Sequence, residues 1–200
     1  MGIGKEYFKK KNKTNARKKL GLDLNRKYLL YIGWVRDNKG IRELINAVKD
    51  LDVKLLIIGG GDLDKYKEYV YQEDIKNIKF LGAIYDKRKF LYLDSADALV
   101  LPSYTEGAPV VIMEAMAKNV PVIATDVGGI NKMVKNNKHG ILIKPKSEKD
   151  IKNAVCNVLK WKHKNLRKDA EQYKWKNIIK KTLKDYKILL NNRKNKNIKC

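Results

Sequence analysis

Two cysteines, Cys156 and Cys200, supply no disulfide framework for a chain of 200 residues. The two histidines, His139 and His163, lie far apart and in no metal-ligand spacing, so no zinc site is expected. No run approaches the ~18 consecutive apolar residues of a bilayer-spanning helix. The start is basic but lacks an apolar core, so it does not read as a signal peptide. A reducing, cytoplasmic setting is the default expectation. Acidic residues are scarce: 22 Asp and Glu stand against 45 Lys and Arg, a net charge of +23. Cys156 falls in an apolar helical pattern and reads as a buried small hydrophobe, and Cys200 as a frayed end.

Hydrophobic residues make up 44% and aromatics 8% of the chain, enough for a packed core. The charge excess sits at the ends. Residues 1–27 carry 10 basic and 2 acidic side chains, residues 28–159 carry 20 and 17, and residues 160–200 carry 15 and 3. A nucleic-acid binder more often spreads its basic stripe over the folded domain, so nucleic acid is not the expected partner. Basic ends can still meet phosphates or an anionic membrane surface peripherally, or be solvated helix faces.

From Lys27 onward, short apolar runs alternate with helical patterns. Strands are predicted at Lys27–Gly33, Val53–Ile58, Ile78–Leu81, Ala98–Leu101, Val120–Ala124 and Gly140–Ile143. Helices are predicted at Lys39–Asp50, Asp62–Glu73, Asp86–Ser95, Pro109–Lys118, Gly129–Lys135, Ser147–Trp161 and Trp175–Leu190, with Asp62 and Ser147 as N-caps and Pro109 in a first turn. Apolar strands alternating with helices specify an α/β, Rossmann-like fold: a parallel six-stranded sheet with helices on both faces. Residues 1–18 show no periodicity and read as a basic lead-in or interdomain linker, 19–162 as the Rossmann-like domain and 163–200 as a basic helical extension.

Ligands of such sheets bind beyond the carboxyl ends of the strands. Of those loops, 102–116 (PSYTEGAPVVIMEAM) says most. Glu106 falls just before the helix that starts near Pro109, and Glu114 lies about one and a half turns inside it. They are not neighbours on one helix face, so they do not form a hydrolase-type acid and base couple. Between them, the backbone N–H groups around Ala108–Val111 are the unpaired donors of a first turn, suited to a phosphate. Glu106 would take a sugar hydroxyl and Glu114 a ribose. Alternatively, Glu106 only complements the helix dipole. Glu114 sits among apolar neighbours, where an ionisable group needs a partner.

The stretch SYTEGAPVVIMEAMAKNVPVIATDVGG resembles the signature of the retaining glycosyltransferases of family four, which have the GT-B fold. YIGWVRDNKG, LLIIGGG, IKFLGAI, SADALVLPS and HGILIKP resemble successive units of the same family, as does the closing helix with Trp175 and Tyr186. The resemblance implies a donor site for a UDP- or GDP-sugar, with no cofactor and no metal. In it, Lys39 matches the phosphate-binding lysine, Glu106 the glutamate on the donor sugar and Glu114 that on the ribose. Backbone N–H groups around Gly107, Ala108 and Val110 would face the sugar and distal phosphate. Gly33 belongs to the basic loop, and Gly82–Ile84, with Ala83 and Ile84, would lie against the base. The family usually has arginine directly after that first glycine. Here the place is Trp34, so either Arg36 supplies the guanidinium or Lys39 acts without one.

GT-B enzymes have two Rossmann-like domains with the active site between them, and the opening GIGKEYFKK resembles the segment that joins them. The expectation is therefore a donor-binding half whose partner is an N-terminal Rossmann-like domain carrying the acceptor site. The last helix, with Trp175, Ile178, Ile179, Leu183, Ile188 and Leu189, would lack its full partner surface and favour self-association. A non-catalytic nucleotide- or nucleic-acid-binding module and a GT-B-type sugar-nucleotide epimerase domain are the alternatives.

Overall fold

The computed structural model describes residues 1–161 and 165–196. Six strands form one sheet: β1 (Tyr28–Ile32), β2 (Lys54–Ile58), β3 (Ile78–Phe80), β4 (Ala98–Leu101), β5 (Val122–Thr125) and β6 (Gly140–Ile143), in the order β3-β2-β1-β4-β5-β6. Every pairing is parallel. The helices are α1 (Lys13–Lys19), α2 (Ile41–Val48), α3 (Leu63–Gln72), α4 (Arg88–Ser95), α5 (Val110–Ala117), α6 (Ile130–Met133), α7 (Glu148–Lys160), α8 (Leu166–Ala170) and α9 (Trp175–Lys196).

The topology follows from the right-handed crossover rule. The chain walks outward from β1 to β3, returns through α4 to β4 beside β1, and walks the other way to β6. The two directions of travel place α2 and α3 on one face and α4 and α5 on the other. The predicted α/β fold with helices on both faces is therefore the one observed. Leu29, Leu30 and Tyr31 of β1, Leu55 and Ile57 of β2 and Leu99 and Val100 of β4 have no measurable exposure. Burial of each such Leu or Ile contributes about 1.5–3 kcal/mol.

The site lies where β1 and β4 end. β1 is central, with β2 on one side and β4 on the other, so the order of strands reverses there. The crevice at such a reversal is where open α/β sheets bind ligands.

Three expectations are corrected. Residues 1–18 are not aperiodic throughout: they carry a 3-10 turn at Lys5–Phe8 and helix α1, capped by the Asn12 side chain, which accepts from the Asn15 amide at 2.9 Å. The anchor of α1 is polar, which hid it from a hydrophobic pattern. Arg17 is buried, donating to Asp97 Oδ2 at 2.8 Å and to the Ser95 carbonyl at 3.1 Å. Asp97 also takes the Tyr28 amide at 2.7 Å and an ammonium contact from Lys13. Short helix α8 was missed because it has only five residues, too few for a periodic pattern, of which Leu166 and Ala170 are buried. Cys156, read as buried, is exposed. The core face of α7 is Ile151, Ala154, Val155 and Val158, and position 156 turns away from it. Cys200 and His163 lie outside the described residues. His139 is buried, with Nε2 3.0 Å from Asp169 Oδ2 and Nδ1 3.1 Å from the Met133 carbonyl.

Helix α9 extends to Lys196, beyond the expected Leu190. Along it Trp175, Ile179, Leu183, Tyr186, Ile188, Leu189 and Leu190 are exposed, and Ile178 is half-buried. Among the described residues no helix is long and apolar enough to cross a membrane.

Candidate functional site

The loop after β1 and the loop after β4 meet at the carboxyl edge of the sheet. After Gly33 the chain passes through Trp34 and Val35 into a 3-10 turn, Asp37–Lys39, and enters α2 at Gly40, whose φ is +67°. A Cβ at Gly40 would lie 2.2 Å from the Pro102 carbonyl oxygen, so both the left-handed turn and the close approach require glycine. The Tyr104 amide donates to the Asn38 carbonyl at 2.9 Å, which ties the two loops together.

This contact brings Lys39 to Glu106. The Lys39 ammonium donates to Glu106 Oε1 at 2.6 Å and lies 3.5 Å from the Thr105 carbonyl. The Ser103 hydroxyl donates to the same carboxylate oxygen at 2.8 Å. Lys39 and Glu106 keep only 21% and 15% of their side-chain surface, enough for a ligand to reach both. Tyr31 lies below them, its hydroxyl donating to the Trp34 carbonyl at 2.7 Å. Burial and then the negative charge of Glu106 push its phenol pKa well up, so it remains a donor.

Behind Glu106 the loop after β5 closes in. Gly128, at φ +55°, would put a Cβ 1.7 Å from the Glu106 carbonyl oxygen, and the Gly129 amide donates to the Gly107 carbonyl at 2.9 Å. The Glu106 backbone is thus held from both sides. Gly107 and Ala108 are exposed in the loop before α5, and Val110 is that helix's first residue. The amides of its first turn lack the i−4 partner of a helix interior, and that of Ile112 donates to the Pro109 carbonyl at 3.1 Å.

A cavity of about 330 Å³ opens at the ends of β1 and β2, lined by Gly33, Trp34, Gly59, Gly60, Ala83, Ile84, Tyr85 and Lys89 among others. Gly33 and the Ala83–Ile84 pair, picked from two different segments, therefore come together. Trp34 and Tyr85 are exposed aromatics on its wall. Glu114 is buried inside α5 and does have a partner: the Lys89 ammonium lies 2.6 Å from Oε2, a charge contact without aligned hydrogen-bond geometry. Lys89 thus belongs both to the cavity and to the Glu114 pair. The Arg36 guanidinium carbon lies 4.9 Å from the centre of the Trp34 ring, which is on the cavity wall.

Sequence reasoning missed Lys89, Ser103, Tyr31 and Trp34 as site members. Ser103, three positions before Glu106, carried a local signal. Lys89 did not, because its role depends on α4 crossing α5. Among the described residues no group of three or more His, Cys, Asp or Glu side chains is gathered to hold a metal ion.

Known proteins share this arrangement of chain. Residues 12–177 match the family profile Glycosyl transferases group 1. An uncharacterized glycosyltransferase of Methanocaldococcus jannaschii, MJ1607, is 36% identical over 192 residues, covering 89% of this chain and 49% of that protein. The sucrose-phosphate synthase of Thermosynechococcus elongatus superposes with a TM-score of 0.82 at 25% identity, over 96% of this chain and 52% of that one. Anabaena Alr3699/HepE, solved in complex with UDP, shares the fold with a TM-score of 0.80 at 18% identity, over 93% of this chain and 56% of that one. The chain spans about half or less of the length of the curated relatives it matches. With the profile covering most of its length and a relative aligned almost end to end, the chain belongs to the glycosyl transferases group 1 family.

Proposed function

We propose that the chain is the donor-binding half of a retaining glycosyltransferase, taking a UDP- or GDP-hexose and needing neither metal nor cofactor. The observation that carries this is the meeting of Lys39 and Glu106, at 2.6 Å, at the carboxyl edge of the sheet, the edge that also carries a cavity lined by Gly33, Ala83, Ile84 and Lys89. A cation, a carboxylate and the helix-start amides at a switch point match the parts of a sugar nucleotide. The UDP held by HepE, a protein of the same fold, supports the ligand class.

The residues divide the ligand between them. The base enters the cavity beside Ala83 and Ile84, between the Trp34 and Tyr85 rings. Glu114, on the far side of Lys89, takes the ribose hydroxyls. The diphosphate lies across the first turn of α5, facing Gly107, Ala108 and Val110, with Lys39 neutralising the charge that grows on it as the sugar leaves. Glu106, released from part of its hold on Lys39, accepts from the hexose. Arg36 swings from the Trp34 ring to supply a second cation where the family's arginine would stand. Transfer further requires an acceptor held against the donor in a closed cleft, and a second Rossmann-like domain is its source.

The test is calorimetric titration with UDP, GDP and their hexose conjugates. Glu114→Ala costs affinity for the bare nucleotide, and Glu106→Ala costs affinity mainly for the sugar conjugate, each by about 1.5–3 kcal/mol. Equal losses on both ligands overturn the division of roles. Binding of oligonucleotides with a steep salt dependence and no preference for a sugar nucleotide favours the nucleic-acid module instead.

A further inference from the structure

The cavity at the ends of β1 and β2 offers a ligand little but carbon and peptide. Among the described residues that line it, Lys89 alone carries a formal charge; the rest are glycine, alanine, isoleucine, tryptophan and tyrosine. Two contacts fix where the Lys89 ammonium stands. It lies 2.6 Å from Glu114 Oε2. It also lies 5.9 Å from the centre of the Tyr7 ring, within cation–π range. Tyr7 packs edge-on against Phe90, next to Lys89 on α4, with ring centres 4.7 Å apart. The N-terminal segment that carries Tyr7 is itself pinned. The Ile3 amide donates to the Tyr173 carbonyl at 2.8 Å, and the Ile3 carbonyl accepts from the Trp175 amide at 3.3 Å, which pairs Ile3 with Lys174.

Lys89 thus belongs to two places at once, the cavity wall and the Glu114 carboxylate. It keeps 23% of its side-chain surface, so it stays within a ligand's reach. A nucleotide with its base in the cavity and its ribose on Glu114 meets this ammonium at the seam between base and sugar. The 2′-hydroxyl of a nucleotide lies on the same side as the minor-groove edge of its base. On that edge uracil presents O2, an acceptor, whereas guanine presents its N2 amine, a donor. An ammonium has three donors and no acceptor. It serves O2 with a hydrogen bond and leaves the guanine amine facing a cation. A polar group left unpaired costs its full desolvation, so the mismatch counts for more than the missing bond.

We propose that Lys89 is a specificity-determining residue that selects uridine over guanosine nucleotides, donating to uracil O2 while Glu114 holds the ribose. This rests on the reading of the cavity as the base subsite and of Glu114 as the ribose-binding residue, and it narrows that reading to a UDP-sugar donor. The contacts to ribose and diphosphate are common to both nucleotides and cannot make the choice. Lys89 stands on the base side of the ribose and makes it.

The experiment is calorimetric titration of the wild-type chain, Lys89→Arg, Lys89→Gln and Lys89→Met with UDP and GDP, read as the ratio of the two affinities. Loss of the Glu114 counter-ion acts on the ribose, which both nucleotides share, so it cancels in that ratio. Wild type favours UDP by about tenfold, the effect of one hydrogen bond to a charged group. Lys89→Arg keeps the donors and the preference. Lys89→Gln turns its amide oxygen to the guanine amine and brings the ratio close to one. Lys89→Met reaches the same ratio by losing affinity for UDP, and the Gln variant alone suffices should the Met variant not fold. A ratio unchanged in the Gln variant overturns the proposal and leaves Lys89 as the counter-ion of Glu114 only. A wild type that binds both equally, or prefers GDP, overturns it as well while the donor-site reading stands. A folded wild type that binds neither nucleotide overturns the donor-site reading and this role with it.

Discussion

Lys39 and Glu106 occupy each other's charge across 66 intervening positions, with the ammonium 2.6 Å from the carboxylate and Ser103 on the same oxygen. The pair is self-satisfied without ligand, so a phosphate entering the site competes with a carboxylate for one cation. Lys39→Ala removes the cation and lowers UDP or GDP affinity at least about tenfold, the effect of one charged hydrogen bond. Glu106→Gln removes the competitor, so affinity for the bare nucleotide holds or rises while that for the hexose conjugate falls. Calorimetric titration of both variants with both ligands checks the opposite signs.

Gly128→Ala acts on Glu106 without touching its side chain. The new Cβ has 1.7 Å to the Glu106 carbonyl oxygen at a φ of +55°, so the loop must retreat. A stability loss of about 1–3 kcal/mol is expected, together with weaker nucleotide binding. Denaturant unfolding gives the first quantity and titration the second. An unchanged Kd would show that the loop after β5 does not position Glu106.

Asp97 governs behaviour in acid. Burial pushes its carboxyl up, but hydrogen bonds from Lys13 and the Tyr28 amide, with the nearby charges of Lys13 and Arg17, outweigh it and hold the pKa below the ordinary value. A carboxyl depressed in the folded state stabilises above its unfolded value of about 3.9. That stabilisation fades as pH falls through the folded value. Asp97→Ala costs about 3 kcal/mol at neutral pH by leaving Arg17 buried and unpaired. Thermal melts from pH 6 to pH 3 show wild type and variant converging at the acid end.

Lys11 gives the opposite limb. Its ammonium donates to the Ala96 carbonyl at 3.0 Å. Burial, then repulsion from Lys13, lowers its pKa to about 8 against the pull of Asp94 and Asp97. The unfolded chain holds that proton more tightly, with a pKa near 10.4, so stability rises as pH climbs from about 8 to 10. Lys11→Met removes this rise. Melts of both proteins across that range separate the Lys11 contribution from other titrations.

The sheet was legible because its strands are continuous apolar runs and its helices switch to a 3.6-residue period, as in Ile41, Leu44, Ile45 and Val48, all buried. The boundaries moved by a residue or two at Val120–Ala124, observed as Val122–Thr125, since Pro121 has no amide to donate to the ladder. Glu106 stood out as a carboxylate just before a helix at the end of β4, and Lys39 through the resemblance carried by YIGWVRDNKG. What stayed hidden depends on polar burial and on contacts between distant segments. Arg17 anchors α1 through a guanidinium, Lys89 reaches Glu114 from another helix, and Tyr7 arrives from a stretch without periodicity. Hydrophobic patterning records only which face of an element is dry, and it has no term for any of these.

The pairing of Ile3 with Lys174 sets an order of events during synthesis. Ile3 is made before every strand of the sheet and Lys174 after all of them, so this pairing closes only once the sheet is complete. β1 to β6 are made in between and can pair progressively, since each outward step adds a strand beside its predecessor. A nascent chain stalled shortly before Tyr173 therefore holds a sheet with its Lys39 and Glu106 loops in place but with Gly2–Ile3 undocked and open to proteases. Contacts that close so long a loop are the slow ones. The cation and the carboxylate of the site are thus in place before the N-terminal segment docks.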